Sequence, residues 1–176
     1  MNAASLIKFF LKKKIFKLNN VELKKLCYSI GSDVILGINT KKTILLYNGK
    51  IKRFERRLEY FVLIAKPSFG CSTSLIYSKV KNFSKPIYNN PKQSLFNENN
   101  LFSSENKLEK IAFDIYPILK KIKFFLLKLS NVKFVRMSGS GSTIVAYFKS
   151  KRARDIAAKK FKKKFNNYWC IKSKTI

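Results

Sequence analysis

The chain has 176 residues, of which 38 are Lys or Arg, nine are Asp or Glu and none is His, giving a formal net charge of +29. Hydrophobic residues make up 46% of the sequence, which is enough for a packed core and excludes a wholly disordered chain. The absence of histidine excludes Ser–His and Cys–His catalytic pairs. No apolar run reaches the roughly 18 residues that a transmembrane helix needs, so we expect no membrane partner.

The excess of positive charge admits two interpretations. One is a nucleic-acid-binding protein, because phosphate backbones attract clusters of basic residues. The other is a lysine-rich composition, and two features favour it: only six basic residues are arginine, and the lysines are spread along the whole chain. Since proteins that read nucleic-acid sequence use arginine for bidentate contacts, we expect no specific nucleic-acid partner and a salt-dependent attraction for anionic small molecules.

Three widely spaced cysteines, Cys27, Cys71 and Cys170, form no CxxC pair. Their odd number and the lack of histidine argue against a zinc site. The start of the chain lacks the basic and apolar regions of a secretory signal. We therefore expect free thiols, no metal-ligating residues and a location in the reducing cytoplasm.

Hydrophobic periodicity predicts helices and strands in alternation. Two short helices open the chain, the second capped by Asn19-Asn20 and ended by Gly31. A hairpin follows, with Asn48-Gly49 as its tight turn. The predicted helices cover 4–14, 21–30, 73–77, 108–129 and 152–165, and the predicted strands cover 43–47, 50–54, 61–65, 132–135, 144–148 and 168–172.

The sequence also predicts local details for three stretches in the second half of the chain. Residues 82–106 are rich in Asn, Ser and Pro and are predicted to be mostly loop. Pro117 must kink the long helix or split it in two. Because helices alternate with antiparallel hairpins, the predicted class is α+β or mixed α/β. The basic helix near the end is predicted to be buried through Ala153, Ile156, Ala157 and Phe161.

Between the predicted strands 132–135 and 144–148 lies a segment of Ser, Gly and one Thr, running Ser138-Gly139-Ser140-Gly141-Ser142-Thr143. Glycines let backbone N–H groups approach a ligand, and serines add hydroxyl donors. Such a loop can cradle phosphate oxygens. A tight hairpin turn uses the same residues, and the sequence alone leaves both interpretations open.

Asp33 lies just after a predicted helix, in Gly31-Ser32-Asp33-Val34. A semi-buried, ionised carboxylate here can act as a base toward a hydroxyl. The simpler interpretation is a turn aspartate that hydrogen-bonds its own backbone. The first helix begins with the small residues Asn2-Ala3-Ala4-Ser5, which let a ligand approach its N–H groups and the positive end of its dipole.

In this order and at these spacings, the motifs resemble the GHMP kinase superfamily. Asn2-Ala3-Ala4 looks like the tail of the family's glycine-rich ATP loop, and Gly31–Val34 looks like the motif that carries its catalytic aspartate. The most similar branch phosphorylates 4-diphosphocytidyl-2-C-methyl-D-erythritol in non-mevalonate isoprenoid biosynthesis. Further matches lie along almost the whole chain: Lys66-Pro67 followed by Ser72-Thr73 and Tyr77, Asn106–Glu109 with Tyr116-Pro117, and the late Ser/Gly segment.

The resemblance implies a GHMP kinase-like α+β fold. The end of a ribosomal protein S5 domain 2-like domain would occupy residues 1–58, and a ferredoxin-like C-terminal α/β domain would occupy 59–176. The implied reaction transfers a phosphoryl group from ATP, with Mg²⁺, to the 2-hydroxyl of a small-molecule cytidyl diphosphate sugar-alcohol, and Asp33 would be the catalytic base. The implied ATP-binding residues are Asn2, Ala3 and Ala4 in the first helix, and Ser138, Gly139, Ser140 and Gly141 in the turn.

The sequence also departs from the family pattern. Most of the ATP loop and the family's first strands would precede Met1, so the isolated chain is expected to be inactive. A missing N-terminal half or a homo-oligomer would then complete the site. Lys107 stands where the family has an acid. Two alternatives stay open: another GHMP small-molecule kinase, and a basic nucleic-acid-binding module.

Overall fold

The computed structural model describes residues 2–31, 33–39, 41–46, 48–55, 59–83 and 90–175. Its contacts divide the chain into two compact units, Met1–Arg57 (the first unit) and Leu58–Ile176 (the second unit). Each unit has its own buried hydrophobic cluster. The mixture of helices and antiparallel strands confirms the predicted α+β class.

The first unit consists of short helices followed by a β-hairpin. Asn19 caps the second helix: its side chain accepts hydrogen bonds from the Val21 and Glu22 N–H groups, and the Glu22 carboxylate accepts from the Asn19 N–H. The hairpin turn falls at Asn48-Gly49 as predicted, with Gly49 at a φ of +75°. Tyr47, predicted to end the first strand, lies outside the described residues. The elements are α1 (Asn2–Lys12), α2 (Asn20–Ile30), α3 (Val34–Ile38), β1 (Lys42–Leu45) and β2 (Ile51–Phe54).

The core of the first unit is small. Both α1 and α2 contact α3, and their apolar faces meet in one cluster. Its buried members are Ala4, Ile7, Cys27, Val34 and Ile35. These are mostly short side chains, so the unit excludes modest apolar area from water.

The second unit is an antiparallel four-stranded sheet with helices packed on it. The strand order is β4-β5-β3-β6. The strands are β3 (Phe61–Lys66), β4 (Val132–Met137), β5 (Ile144–Phe148) and β6 (Trp169–Lys174). The helices are α4 (Thr73–Ser78), a 3₁₀ turn (Gln93–Phe96), α5 (Glu98–Ser103), α6 (Leu108–Ile115), α7 (Pro117–Leu127) and α8 (Lys151–Lys164).

Strand alternation separates the two faces of this sheet. In β5, Ile144, Ala146 and Phe148 are fully buried, and they belong to the large cluster that also contains residues of α7 and α8. Tyr147 points to the opposite face, where its ring stacks on Phe134 at 4.1 Å between centroids. The sheet therefore packs its aliphatic face on the long helices and carries an aromatic cluster on its other face.

The long predicted helix is split, as Pro117 required. It ends as α6 at Ile115 and restarts as α7 with Pro117 in its first position, where a missing N–H is tolerated.

All three cysteines are free, with Cys27 buried and Cys71 and Cys170 half-buried. None of the described helices is long and apolar enough to cross a membrane.

Two local predictions are wrong. The predicted loop 82–106 contains the 3₁₀ turn and α5, because Asn97 caps α5 and Arg136 donates hydrogen bonds to its Leu101 and Phe102 carbonyls. Residues 84–89 of that stretch lie outside the described residues. In α8, Ile156 is 45% exposed rather than buried. Arg154 is buried instead, because its guanidinium bonds the Ser173 carbonyl and Asp155.

Candidate functional site

The Ser/Gly segment is a closed turn between β4 and β5. The Ser138 N–H donates to the Thr143 carbonyl at 2.9 Å, and the Gly141 N–H donates to the Ser138 carbonyl at 2.9 Å. Gly139 and Gly141 have φ angles of +54° and +91°. Residues with a Cβ rarely adopt such angles, so the backbone of this turn requires both glycines.

The two glycines have different surroundings. A Cβ on Gly141 would lie 3.0 Å from Met137 Sδ and 3.1 Å from Cys71 Sγ, so Gly141 also permits close packing. A Cβ on Gly139 would meet nothing within 4 Å. Burial raises the pKa of the Cys71 thiol, which keeps it neutral beside the turn. The turn therefore packs on the core at Gly141 and has open space at Gly139.

The outer side of the turn faces the start of α4. Thr73 Oγ1 and Ser140 Oγ are 2.8 Å apart and share a hydrogen bond. Ser72 caps α4 by accepting a hydrogen bond from the Leu75 N–H, and the Ser72 N–H donates to the Tyr116 hydroxyl. The hydroxyls of Thr73 and Ser140 are thus held next to each other, and the one that accepts the shared hydrogen bond keeps its own O–H to donate to an anionic oxygen.

The inner side of the turn is held by three side chains. Asn106 Nδ2 donates to the carbonyls of Met137 at 3.0 Å and Gly139 at 2.7 Å. Glu109 Oε1 accepts from the Met137 N–H at 2.7 Å. The buried Ser142 hydroxyl donates to the Phe69 carbonyl at 2.7 Å. The turn is therefore pinned on its core side while its outer side stays accessible.

An ion pair holds the Glu109 carboxylate that accepts from the Met137 N–H. Lys123 of α7 pairs with the carboxylate of Glu109 in α6. The exposed fractions of the two side chains are only 19% and 12%, so the Glu109 carboxylate is shielded from water and its charge is matched. The pair ties α6 to α7 at the point where α6 supports the turn.

Asp33 is exposed, which corrects the expectation of a semi-buried carboxylate. It immediately precedes α3, and the next two residues, Val34 and Ile35, take the buried positions. Within the described residues, its carboxylate makes no capping hydrogen bond to α3. Asp33 therefore presents a carboxylate to solvent from a backbone that is fixed by its buried neighbours.

The beginning of α1 lies next to α3 in the first unit. Ala4 is buried in the same cluster as Val34, and Ala3 is half-buried against it. The small side chain of Ala4 thus serves helix packing. The structure brings the α1 start and the α3 start together within the first unit, whereas Ser138–Gly141 belong to the second unit.

Comparison with known proteins identifies the relatives of this chain. The family description "GHMP kinases C terminal" matches residues 89–167. The curated 4-diphosphocytidyl-2-C-methyl-D-erythritol kinase of Pelagibacter ubique is 56% identical over all 176 residues, and the match covers 63% of that relative. The chain is homologous to the GHMP kinases. This homology confirms the resemblance to GHMP kinases that the motifs predicted.

Two further comparisons agree with this result. The kinase of the same name from Clostridium tetani is 33% identical over 89% of the chain and 58% of that relative. A crystal structure of 4-(cytidine 5′-diphospho)-2C-methyl-D-erythritol kinase superposes with a TM-score of 0.75 at 19% identity, covering 96% of this chain and 62% of that one. The GHMP kinase-like fold is therefore confirmed. The chain spans about three fifths of the length of the curated relatives it matches.

Some residues of the GHMP kinase-like motifs hold the Ser/Gly turn in place, and this role was not predicted from the sequence. Asn106 and Glu109 carried the resemblance, but nothing in their spacing showed what they contact. Thr73 was a predicted helix start, without a link to Ser140. The partners are 28 to 67 residues apart along the chain, so these contacts depend on the sheet and α6 being in place.

Proposed function

We propose that this chain contributes to an ATP-dependent kinase that phosphorylates the 2-hydroxyl of 4-diphosphocytidyl-2-C-methyl-D-erythritol in isoprenoid biosynthesis. The observation that carries the proposal is the Ser/Gly turn, with open space at Gly139, paired hydroxyls at Thr73 and Ser140, and a pinned inner side. The 56% identity to a relative named for this reaction supports the choice of substrate.

We assign the two regions of the chain different tasks. Residues 1–58 are the end of the ATP-binding domain, and residues 59–176 are the C-terminal domain. The division of contacts between Arg57 and Leu58 supports this boundary. A small-molecule substrate, a cytoplasmic location and the absence of a specific nucleic-acid partner complete the proposal.

In the proposed reaction the substrate's 2-hydroxyl oxygen attacks the γ-phosphorus of ATP. The new O–P bond forms as the bond from the γ-phosphorus to the bridging oxygen breaks, so ADP leaves. Asp33 accepts the hydroxyl proton, a task that suits an exposed carboxylate without a capping hydrogen bond.

The remaining proposed residues act on the phosphates. The N–H groups of Asn2, Ala3 and Ala4 at the start of α1 offer the positive end of the helix dipole. The range Ser138–Gly141 offers N–H and hydroxyl donors from the turn. Phosphoryl transfer depends mostly on positioning and charge stabilisation, so donors held by a packed scaffold suit it.

Mg²⁺ accompanies ATP in this proposal. The described residues contain no group of three or more acidic or cysteine side chains that could hold a metal ion. The described residues therefore do not supply a full set of protein ligands for Mg²⁺, which would be held chiefly by ATP phosphates and water, as is common for this ion. Its contribution when bound is to neutralise charge on the phosphates.

A chimera tests the proposal. Residues 1–176 of this chain replace the aligned region of the Pelagibacter ubique relative, and product formation is followed with the cytidyl substrate, mevalonate and homoserine. We expect ATP-dependent phosphorylation of the cytidyl substrate. Asp33→Asn should lower kcat by about 10²–10⁴-fold, whereas the matched control Asp114→Asn, on an exposed position of α6, should leave it unchanged.

Two results would count against the proposal. Preference for mevalonate or homoserine would indicate another GHMP small-molecule kinase. A folded but inactive chimera that binds nucleic acid specifically at ~200 mM salt would indicate the basic binding module, because adventitious charge gives binding that fades steeply with salt.

A further inference from the structure

We infer that Asn106 is a positioning residue that aims the Ser140 N–H at a phosphate oxygen. This inference rests on the proposed function, because it names the residue that prepares the turn for ATP. Asn106 does not itself contact the nucleotide. It acts through the backbone of the turn, from the residue pair that precedes α6.

Both the NH₂ group and the oxygen of the Asn106 carboxamide form hydrogen bonds. Its Nδ2 donates to the carbonyls of Met137 at 3.0 Å and Gly139 at 2.7 Å, which flank Ser138. Its Oδ1 accepts from the Leu108 N–H at 3.0 Å. Carbonyl oxygens only accept and an N–H only donates, so this set of partners fixes which end of the amide faces the turn.

The direction of one carbonyl sets the direction of the next N–H. In a trans peptide the C=O and N–H groups point in opposite directions. Because the Gly139 carbonyl points at Asn106, the Ser140 N–H points away from it. In the described part of the chain, neither the Gly139 N–H nor the Ser140 N–H donates a hydrogen bond. Two backbone donors therefore remain for an anion beside the open space at Gly139.

Glu109, in the first turn of α6, also holds Met137 in place. It accepts the Met137 N–H while Asn106 takes the Met137 carbonyl, so both polar groups of that residue are bonded. Positions three apart lie on one face of a helical turn, and the ion pair with Lys123 holds that face in place. The start of α6 is thus a rigid base on which the turn is oriented.

Two variants of Asn106 separate orientation from folding. Asn106→Asp keeps the size and the acceptor for Leu108, but it replaces the donor NH₂ with an oxygen that repels both carbonyls. Asn106→Ser keeps a hydroxyl that can accept from the Leu108 N–H and removes the long amide donor without adding charge. The matched control is Asn97→Asp, because among the described residues the Asn97 side chain accepts a hydrogen bond from the Asn100 N–H, and Asp accepts equally well.

The first readout is binding of inorganic tripolyphosphate to the full 176-residue chain, followed by NMR at the Gly139 and Ser140 amides. We expect saturable shifts at these amides in the wild type and in Asn97→Asp. Both Asn106 variants should lose at least tenfold in affinity while circular dichroism stays unchanged. Wild-type affinity and shifts in the folded Asn106→Ser variant would overturn the inference.

The second readout needs no ligand. Residual dipolar couplings report the direction of the Ser140 N–H, and we expect this direction to change in Asn106→Ser but not in Asn97→Asp. An unchanged direction would overturn the inference. If the direction changes while the wild type shows no response to tripolyphosphate, Asn106 orients the turn as inferred and the proposed phosphate site is the part that fails.

Discussion

The two units differ in how they hold their candidate functional groups. In the second unit, Asn106, Glu109 and Ser142 fix the Ser/Gly turn over a large core built on a four-stranded sheet. In the first unit, Asp33 depends on two buried neighbours over a small cluster. The proposed phosphate-binding element is therefore pre-organised by side-chain hydrogen bonds, whereas the proposed base is positioned only by the burial of its neighbours Val34 and Ile35.

The largest expected effect comes from the core of the second unit. Phe161→Ala removes a fully buried ring that packs on Phe125 and Phe165, and it should lower the free energy of unfolding by about 3–5 kcal/mol. Denaturant unfolding measures the loss. Phe83→Ala is the control, because that ring is 81% exposed. An equal loss of hydrogen-exchange protection in α1–α3 would show that the units unfold together and would break the comparison.

The corresponding change in the first unit should have a smaller effect. Ile35→Ala empties a buried position beside Val34 and Ala4, and it should lower stability by about 2–5 kcal/mol, toward the low end because a small cluster can relax around the gap. Hydrogen exchange in α1–α3 reports the loss. Ile30→Ala, at an exposed position of α2, is the matched control and should change little. A loss of hydrogen-exchange protection in β3–β6 would show that the two units do not unfold independently.

The two glycines of the turn should respond differently to the same substitution. Gly141→Ala combines a positive φ with contacts at 3.0 and 3.1 Å, so it should lower stability by about 2–4 kcal/mol. Gly139→Ala has the positive φ but open space, so about 1–2 kcal/mol is expected. Thermal unfolding of both variants measures the difference. Equal losses would mean that packing under Gly141 does not fix the turn.

The smallest effect concerns acid stability. The Arg154 guanidinium lowers the pKa of Asp155, so folding is stabilised above the ordinary carboxyl pKa and loses this contribution as pH falls through the lowered value. Asp155→Asn should therefore flatten the decline in unfolding free energy below about pH 4. Denaturant titrations at several pH values test this. The same slope in Asp155→Asn and wild type would remove Asp155 from the acid response.

Local signals account for what the sequence predicted well. The Asn19 cap, the Asn48-Gly49 turn and the break at Pro117 each depend on a few adjacent residues. The order of short motifs predicted the family, which the relatives confirm. These features could be predicted because their physical causes lie within one turn of the chain.

The failures have tertiary causes. The helix α5 forms in an Asn- and Ser-rich segment because Arg136, more than thirty residues away, bonds its last carbonyls. Arg154 is buried because β6 offers it the Ser173 carbonyl. The anchoring of the turn by Asn106 is of the same kind. Partners supplied by distant elements cannot be read from spacing along the chain.

We propose above that Asp33 accepts the substrate's hydroxyl proton during phosphoryl transfer. The most direct test is the single-turnover rate of γ-phosphoryl transfer in the chimera with the Pelagibacter ubique relative, measured with and without Asp33→Asn. We expect the variant to bind ATP as the unaltered chimera does and to transfer the phosphoryl group at least about a hundredfold more slowly. Transfer at the unaltered rate would contradict it.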